Sequence, residues 1–142
     1  MIFADDSYAE LNTILEQGNL KLAFQPIVAV RHGNILGYEA LVRGPSSSPL
    51  HAPANLFDAA VRYERLVSLE TLCNELAVRQ FVALRLPGGL FLNVTCASLP
   101  QLELRKDTLL RAARQIGFEP ERLTLELGGQ LFMDQLEAIK QA

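Results

Sequence analysis

The chain has 142 residues, of which 49% are apolar and 20% charged, and this length and composition predict one globular domain. Its formal charge of −3, with no run of Lys or Arg, argues against binding of nucleic-acid phosphates, so we expect no DNA partner. No apolar segment approaches the ~20 residues of a transmembrane helix, and the N-terminus lacks the pattern of a secretory signal. Cys73 and Cys96 have neither metal-site nor disulfide spacing, which indicates reduced core residues in a cytoplasmic protein.

A helix over residues 7–17 is the first predicted element. Ser7 and Glu10 form the S-x-x-E pattern of a capping box, and Gly18 provides a C-terminal stop. Apolar residues recur at helical spacing on one face: Tyr8, Leu11, Ile14 and Leu15.

An antiparallel hairpin is predicted next. The first strand covers residues 20–30 and contains Pro26, which cannot donate to a ladder and therefore indicates an edge or irregular position. The turn at residues 32–34 leads into a second strand over residues 35–44. Because the connection is short, the two strands should be antiparallel neighbours.

The second strand carries charges within an otherwise apolar run. Glu39, Leu41 and Arg43 share one face, because side chains alternate along a strand. The other face carries residues suited to packing: Leu36, Tyr38, Ala40 and Val42. Burying a charge without a partner is costly, so the presence of Glu39 and Arg43 in an otherwise apolar strand indicates either a partner or a function. One interpretation is a metal ligand beside an arginine that binds phosphate, and the other is an ion pair at a strand end.

The rest of the chain alternates between helices and strands. A loop over residues 44–53 contains His51, interpreted as a solvated histidine rather than a ligand. Four helices are predicted: one from Pro53, and others over 66–86, 105–116 and 131–142. The inward residues of the helix from Pro53 are Leu56, Phe57, Ala60 and Val61. Those of the 66–86 helix are Leu69, Leu72, Cys73, Leu76, Ala77 and Phe81. Strands are predicted over 90–96 and 123–127. From the third strand onward, the order strand, helix, strand, helix predicts parallel strands with covering helices, which is an α/β architecture.

Three strands each carry one polar side chain on the polar parity of that strand, namely Glu39, Asn93 and Glu126. Two carboxylates and an amide form an all-oxygen ligand set, which hard cations such as Mg²⁺, Mn²⁺ or Ca²⁺ prefer. Arg43 could hold a phosphate oxygen, and Gln25 on the adjacent strand could bond a base or ribose. The structural alternatives are that Asn93 caps a loop and that Glu126 pairs with Arg43 or Arg122.

Four segments in the correct order resemble the N-terminal part of an EAL domain, the family of cyclic-di-GMP phosphodiesterases and receptors. They are the strand FQPIV (24–28), the signature GYEALVR (37–43), the strand LNVT (92–95) and the strand RLTLE (122–126). Residues 53–57 and 60–70 resemble the helix that follows the signature. The match runs from about residue 11 to residue 127, and its combination of motifs is highly specific.

The resemblance implies part of a TIM-like (β/α) barrel whose first strand is antiparallel to the others. Residues 1–142 would form a single partial domain that contains about four strands of this barrel, with the barrel elements over residues 20–142. It implies that Glu39, Asn93 and Glu126 bind a catalytic Mg²⁺ or Mn²⁺. It also implies that Gln25, Leu41 and Arg43 contact cyclic-di-GMP. In the family, a metal-activated water attacks one phosphodiester of cyclic-di-GMP and releases linear pGpG.

Two departures from the family pattern limit this expectation. Gly128 and Gly129 occupy the places of the threonine and second glutamate of the family's Glu-x-Thr-Glu pattern. The chain also stops about midway through the family's domain, so no complete catalytic set is expected within it. We therefore expect little hydrolysis by this chain alone. The alternatives to part of a phosphodiesterase are a degenerate cyclic-di-GMP receptor and a protein-interaction module, either of which could form a homodimer through an open barrel edge.

Overall fold

A four-stranded sheet covered on one face by helices forms the fold. The computed structural model describes residues 3–128, together with the side chains of residues 7–128 except that of Cys96. The predicted helix over 131–142 and Gly129 lie outside this part. The elements are α1 (Phe3–Gln17), β1 (Lys21–Val28), β2 (Ile35–Arg43), α2 (Pro53–Arg62), α3 (Leu66–Ala83), β3 (Gly89–Val94), α4 (Leu102–Gln115) and β4 (Leu123–Leu127), with 3-10 turns at Cys96–Gln101 and Pro120–Arg122.

The strand order is β1-β2-β3-β4, with the first pair antiparallel and the other two pairs parallel. The hairpin between β1 and β2 turns at Gly33, whose φ of +68° suits glycine. Ala29 N–H closes this hairpin by donating to the carbonyl of Asn34 at 2.8 Å. Pro26 lies on β1, the outer strand of the pair, as its missing N–H required. The predicted mixed α/β sheet is confirmed.

One face of the sheet packs against the helices. It carries even-numbered residues of β1 to β3 and odd-numbered residues of β4: Leu22, Phe24, Tyr38, Ala40, Leu90, Leu92, Leu123 and Leu125. These residues surround Phe81 of α3 and Phe118, which follows α4. A second cluster joins α1, α2 and the first half of α3 around Leu11, Leu56 and Leu69. The alternation of apolar residues thus assigns one sheet face to the core.

Strands β2 and β3 approach closely at one end and separate at the other. A Cβ on Gly37 would lie 2.3 Å from the carbonyl oxygen of Gly89, so only glycine fits at this crossing. Pairing between the two strands extends only to Glu39 and Phe91. Beyond that point a cavity of about 350 Å³ opens between the ends of the strands and reaches α3.

The N-terminal helix begins earlier than the sequence predicted. It starts at Phe3, so Ser7 lies within the helix and the predicted capping box at its N-terminus is wrong. Its end is as predicted, because Gly18 has a φ of +67° and its N–H donates to the carbonyl of Ile14 at 2.8 Å. Leu11 and Ile14 are buried, as their spacing predicted.

The inward faces of α2 and α3 differ from the prediction at several positions. Val61 is 51% exposed, and Ala59 is buried instead. Helix α3 ends at Ala83 rather than residue 86, and β3 ends at Val94, before Cys96. Leu72 and Leu76 are only half-buried, whereas three residues of α3 outside the predicted inward set are buried: Glu70, Asn74 and Val78. The apolar repeat identified the helices but not the full width of the buried face.

His51 is part of the loop's structure rather than a solvated side chain. The residue is half-buried, and its Nδ1 lies 2.9 Å from the carbonyl oxygen of Gly44. The N–H of Gly44 donates in turn to the carbonyl of His51 at 3.0 Å.

Within the described part of the chain, no helix is long and apolar enough to cross a membrane.

Candidate metal and nucleotide site

The sheet face opposite the helices, here called the open face, carries the polar residues singled out in the sequence. It is formed by odd-numbered residues of β1 to β3 and even-numbered residues of β4. Gln25 lies opposite Glu39 in the β1–β2 register, and Asn93 lies opposite Glu126 in the β3–β4 register. The three candidate ligands therefore share one face, as their parity predicted.

A hydrogen bond joins two of the three candidate ligands. Asn93 Nδ2 donates to Glu39 Oε1 at 2.9 Å, with a longer contact of 3.5 Å to the carbonyl oxygen of Ala40. The amide thus crosses the gap where β2 and β3 have stopped pairing. It orients the Glu39 carboxylate, and a Cβ on Gly128 would lie 4.0 Å from the amide oxygen of Asn93.

The environment of Glu126 disfavours its charged form. Desolvation raises the pKa of Glu126 above its ordinary value, and the negative charge of Glu39 raises it further. The raised pKa means that the ionised form of Glu126 is disfavoured, mainly by loss of water and secondarily by the nearby carboxylate. A cation bound between Glu39 and Glu126 would remove that cost.

The donor set fits a hard divalent cation. Among the described residues, no group of three His, Cys, Asp or Glu side chains could hold a metal, so a cation between Glu39 and Glu126 would need a further ligand, such as the amide oxygen of Asn93. Carboxylate and amide oxygens suit Mg²⁺ or Mn²⁺, and no thiolate or imidazole favours zinc here.

The ion-pair alternatives from the sequence are not formed. In the part of the chain that the structure describes, the ion pairs are Arg105–Glu70 and Lys106–Glu103. Arg122 instead donates from Nε to the carbonyl oxygen of Gly88 at 2.8 Å and from Nη2 to the carbonyl oxygen of Leu86 at 2.9 Å. Neither Glu39 nor Glu126 is neutralised by an arginine of the described chain.

The residues expected to contact a nucleotide also lie on the open face. Leu41 is 38% exposed there, near the end of β2. Arg43 lies at the end of β2, opposite Lys21 of β1. Leu41 and Arg43 therefore follow Glu39 along β2, and Gln25 lies beside Glu39 on β1.

A buried polar network behind the site was missed from the sequence. The carboxylate of Glu70 is 2% exposed and accepts from Thr95 N–H and from Arg105 Nη1, both at 2.8 Å. Arg105 Nη1 also donates to Ser98 Oγ at 2.9 Å. The network fixes the backbone two residues beyond Asn93. The available signal was Glu70 itself, a charged residue between Leu69 and Cys73 on the inward side of α3.

Comparison with known proteins gives the context of this site. The family model of the EAL domain matches residues 8–142. The chain is similar to the FimX EAL domain of Pseudomonas aeruginosa bound to c-di-GMP, with 24% identity, a TM-score of 0.74 and coverage of 96% of this chain and 55% of that chain. It is also similar to the Xanthomonas citri FimX EAL domain in complex with c-diGMP, with 18% identity, a TM-score of 0.76 and coverage of 97% and 55%. The chain is similar as well to the PaMucR phosphodiesterase in its c-di-GMP complex, with 23% identity, a TM-score of 0.71 and coverage of 95% of this chain and 58% of that chain.

No curated protein matches the chain significantly. The chain spans little more than half the length of these solved structures. Their structural similarity to it, at under 25% identity, shows a shared fold and no more. The predicted part of a barrel with an antiparallel first strand is confirmed by that fold. Because the family model covers residues 8–142, the chain belongs to the EAL domain family.

Proposed function

We propose that this chain is part of a cyclic-di-GMP phosphodiesterase domain and contributes cation and nucleotide ligands to its site. The observation that carries the proposal is the convergence of Glu39, Asn93 and Glu126 on the open face, with Asn93 bonded to Glu39. The solved relatives include an enzyme described as a phosphodiesterase in complex with c-di-GMP, which supports this substrate class.

Each residue has a role that its chemistry allows. Glu39 and Glu126 supply carboxylate oxygens to Mg²⁺ or Mn²⁺, and Asn93 orients Glu39 and offers its amide oxygen. The bound cation would polarise a phosphoryl oxygen and lower the pKa of a water molecule. Gln25 and Arg43 bind polar and phosphate groups of the nucleotide, and Leu41 packs against it. Hydrolysis to linear pGpG is proposed for the complete domain, of which this chain spans about half.

A receptor function is the second candidate. Binding needs fewer groups than turnover does, and Gln25, Leu41 and Arg43 are all available on the open face. In the sequence, Gly129 stands where the family pattern has its second glutamate, and the lack of that carboxylate favours binding without hydrolysis. We also propose a cytoplasmic location, which the free, buried thiol of Cys73 supports. An interaction module that neither binds nor cleaves is the remaining alternative.

Calorimetric titration with cyclic-di-GMP, with and without Mg²⁺ or Mn²⁺, separates these functions. We expect cation-dependent binding that Glu39→Ala weakens at least tenfold. Glu103→Ala is the matched control, because this exposed carboxylate of α4 pairs only with the neighbouring Lys106 in the described chain. Equal affinities for Glu39→Ala and the unaltered chain would refute the site. Release of pGpG, measured by chromatography, distinguishes an enzyme from a receptor.

Self-association through an exposed sheet edge stays a prediction. Both β1 and β4 are outer strands of the described sheet, and unpaired strand edges favour pairing with a second chain. We expect dimers at high micromolar concentration. Sedimentation velocity tests this, and a monomer across that concentration range would contradict it.

A further inference from the structure

Two cations face each other at the end of the β1–β2 hairpin. Lys21 and Arg43 are direct partners in the antiparallel register, and both side chains are exposed. Their parity places them on the open face, with Gln25 and Glu39. Like charges directly opposite each other destabilise a strand pair, so this arrangement carries a cost.

Neither cation is neutralised within the described chain. Its ion pairs are Arg105–Glu70 and Lys106–Glu103, and both lie on other elements. Lys21 Nζ contacts the hydroxyl of Ser46, which is uncharged. This contact holds the lysine side chain toward the loop that follows β2, but it leaves the positive charge in place.

The two cations line one cavity with residues of the candidate site. The cavity of about 350 Å³ between the separated ends of β2 and β3 has Lys21, Arg43, Leu41 and Asn93 in its wall. Its size falls within the range of about 300–1,000 Å³ that is typical of ligand sites. Phe57 contributes an apolar side. A ligand in this cavity would lie beside both residues.

We infer that Lys21 and Arg43 form a paired anion site for phosphate oxygens of the nucleotide, with Lys21 as an additional ligand-binding residue. Arg43 follows Glu39 by four positions, or about 13 Å along an extended strand. The open face is therefore negative around Glu39 and positive at its rim. This separation would orient an anionic ligand, with the guanidinium binding two oxygens and the ammonium acting as a point charge.

This inference rests on the proposed nucleotide-binding function, and the experiment separates the two. Cyclic-di-GMP is titrated into the unaltered chain, Lys21→Gln and Lys21→Arg at low and moderate salt, with Mg²⁺ present. We expect Lys21→Gln to weaken binding about tenfold and to reduce its salt dependence, with Lys21→Arg restoring most of the affinity. Lys106→Gln is the control, because it removes an exposed lysine of α4. Thermal unfolding of each variant verifies that the fold is retained.

A second probe tests the anion site without the nucleotide. Inorganic phosphate is titrated into ¹⁵N-labelled chain, and the amide signals of Lys21 and Arg43 should shift with saturation, an effect that Lys21→Gln abolishes. If the nucleotide binds the unaltered chain and Lys21→Gln equally well, the inference is overturned and the proposed function stands. If phosphate shifts these signals but cyclic-di-GMP does not bind, the anion site is supported and the proposed function fails. If neither ligand binds, both fail.

Discussion

The buried ion pair behind the site makes a strong prediction about stability. Arg105→Met removes the guanidinium that donates to Glu70 and Ser98, and it fills the space with an apolar side chain of comparable length. The Glu70 carboxylate is then left in the interior with the N–H of Thr95 as its remaining described donor. A buried charge that loses its partner strongly favours the unfolded state.

The size of the effect follows from burial. Glu70 is 2% exposed and the Arg105 side chain 9%, so water cannot replace the lost partner. Breaking such a pair costs about 3–5 kcal/mol. Arg105 Nε is buried without a hydrogen-bond partner in the described structure, and its removal recovers about 1–3 kcal/mol of desolvation cost. We therefore expect a net loss of about 2 kcal/mol in the free energy of unfolding.

The adjacent residue provides a matched control. Lys106 pairs with Glu103 at 2.9 Å on the exposed side of the same helix. Lys106→Met should cost no more than about 0.5 kcal/mol, because exposed pairs contribute little. Urea unfolding followed by circular dichroism gives the free energy of unfolding of each variant.

Two outcomes decide the argument. If Arg105→Met and Lys106→Met lower the free energy of unfolding by similar amounts, the buried network does not hold the structure as argued. The double variant Glu70→Met, Arg105→Met should be more stable than Arg105→Met, because it leaves no unpaired buried charge. Lower stability of the double variant would also refute the reasoning.

Three further predictions concern the sheet and the thiol. Glu126→Gln should raise the melting temperature at pH 7, because it removes a charge that folding disfavours. This gain, worth less than about 1 kcal/mol, should vanish as the pH falls below the ordinary carboxyl pKa of 4.5. A gain that grows in acid would contradict the prediction. Gly37→Ala should cost about 1–3 kcal/mol in urea unfolding, because its Cβ would meet the Gly89 carbonyl, and an unchanged midpoint would contradict that close approach. Burial, then the charge of Glu70, raises the pKa of the Cys73 thiol to about 12; in a Cys96→Ser background it should react with a disulfide reagent at pH 8 only as fast as the chain unfolds, and rapid labelling of folded chain would refute this.

Strand periodicity made the open face predictable from the sequence. A period of two residues is fixed by backbone geometry, so the parity of Glu39, Asn93 and Glu126 could be read without knowing the fold. The all-leucine parity of β4 likewise identified its helix-facing side. Whether three strands of matching parity become neighbours depends on strand order, which the family resemblance supplied. The bounds of β4 were predicted correctly because Gly128 breaks the apolar run.

Contacts between distant segments could not be predicted in the same way. The Glu70 network joins α3 to residues 25, 28 and 35 positions further along the chain, and no local pattern encodes those distances. Ser7 and Glu10 had the spacing of a capping box, but the helix continues through Ser7 to Phe3. A local motif permits a helix start without requiring one, because the residues before it also decide where the helix begins.

The hydrogen bond of Asn93 explains why an amide rather than a third carboxylate suits this position. Desolvation, and then the charge of Glu39, already disfavour the ionised form of Glu126 and raise its pKa. An aspartate at position 93 would add another negative charge and could not donate to Glu39 Oε1 when ionised. The amide donates through Nδ2 and keeps Oδ1 as a ligand oxygen. Asn93 thus adds no charge beside Glu39, and its amide oxygen would be available to the cation of the proposed function.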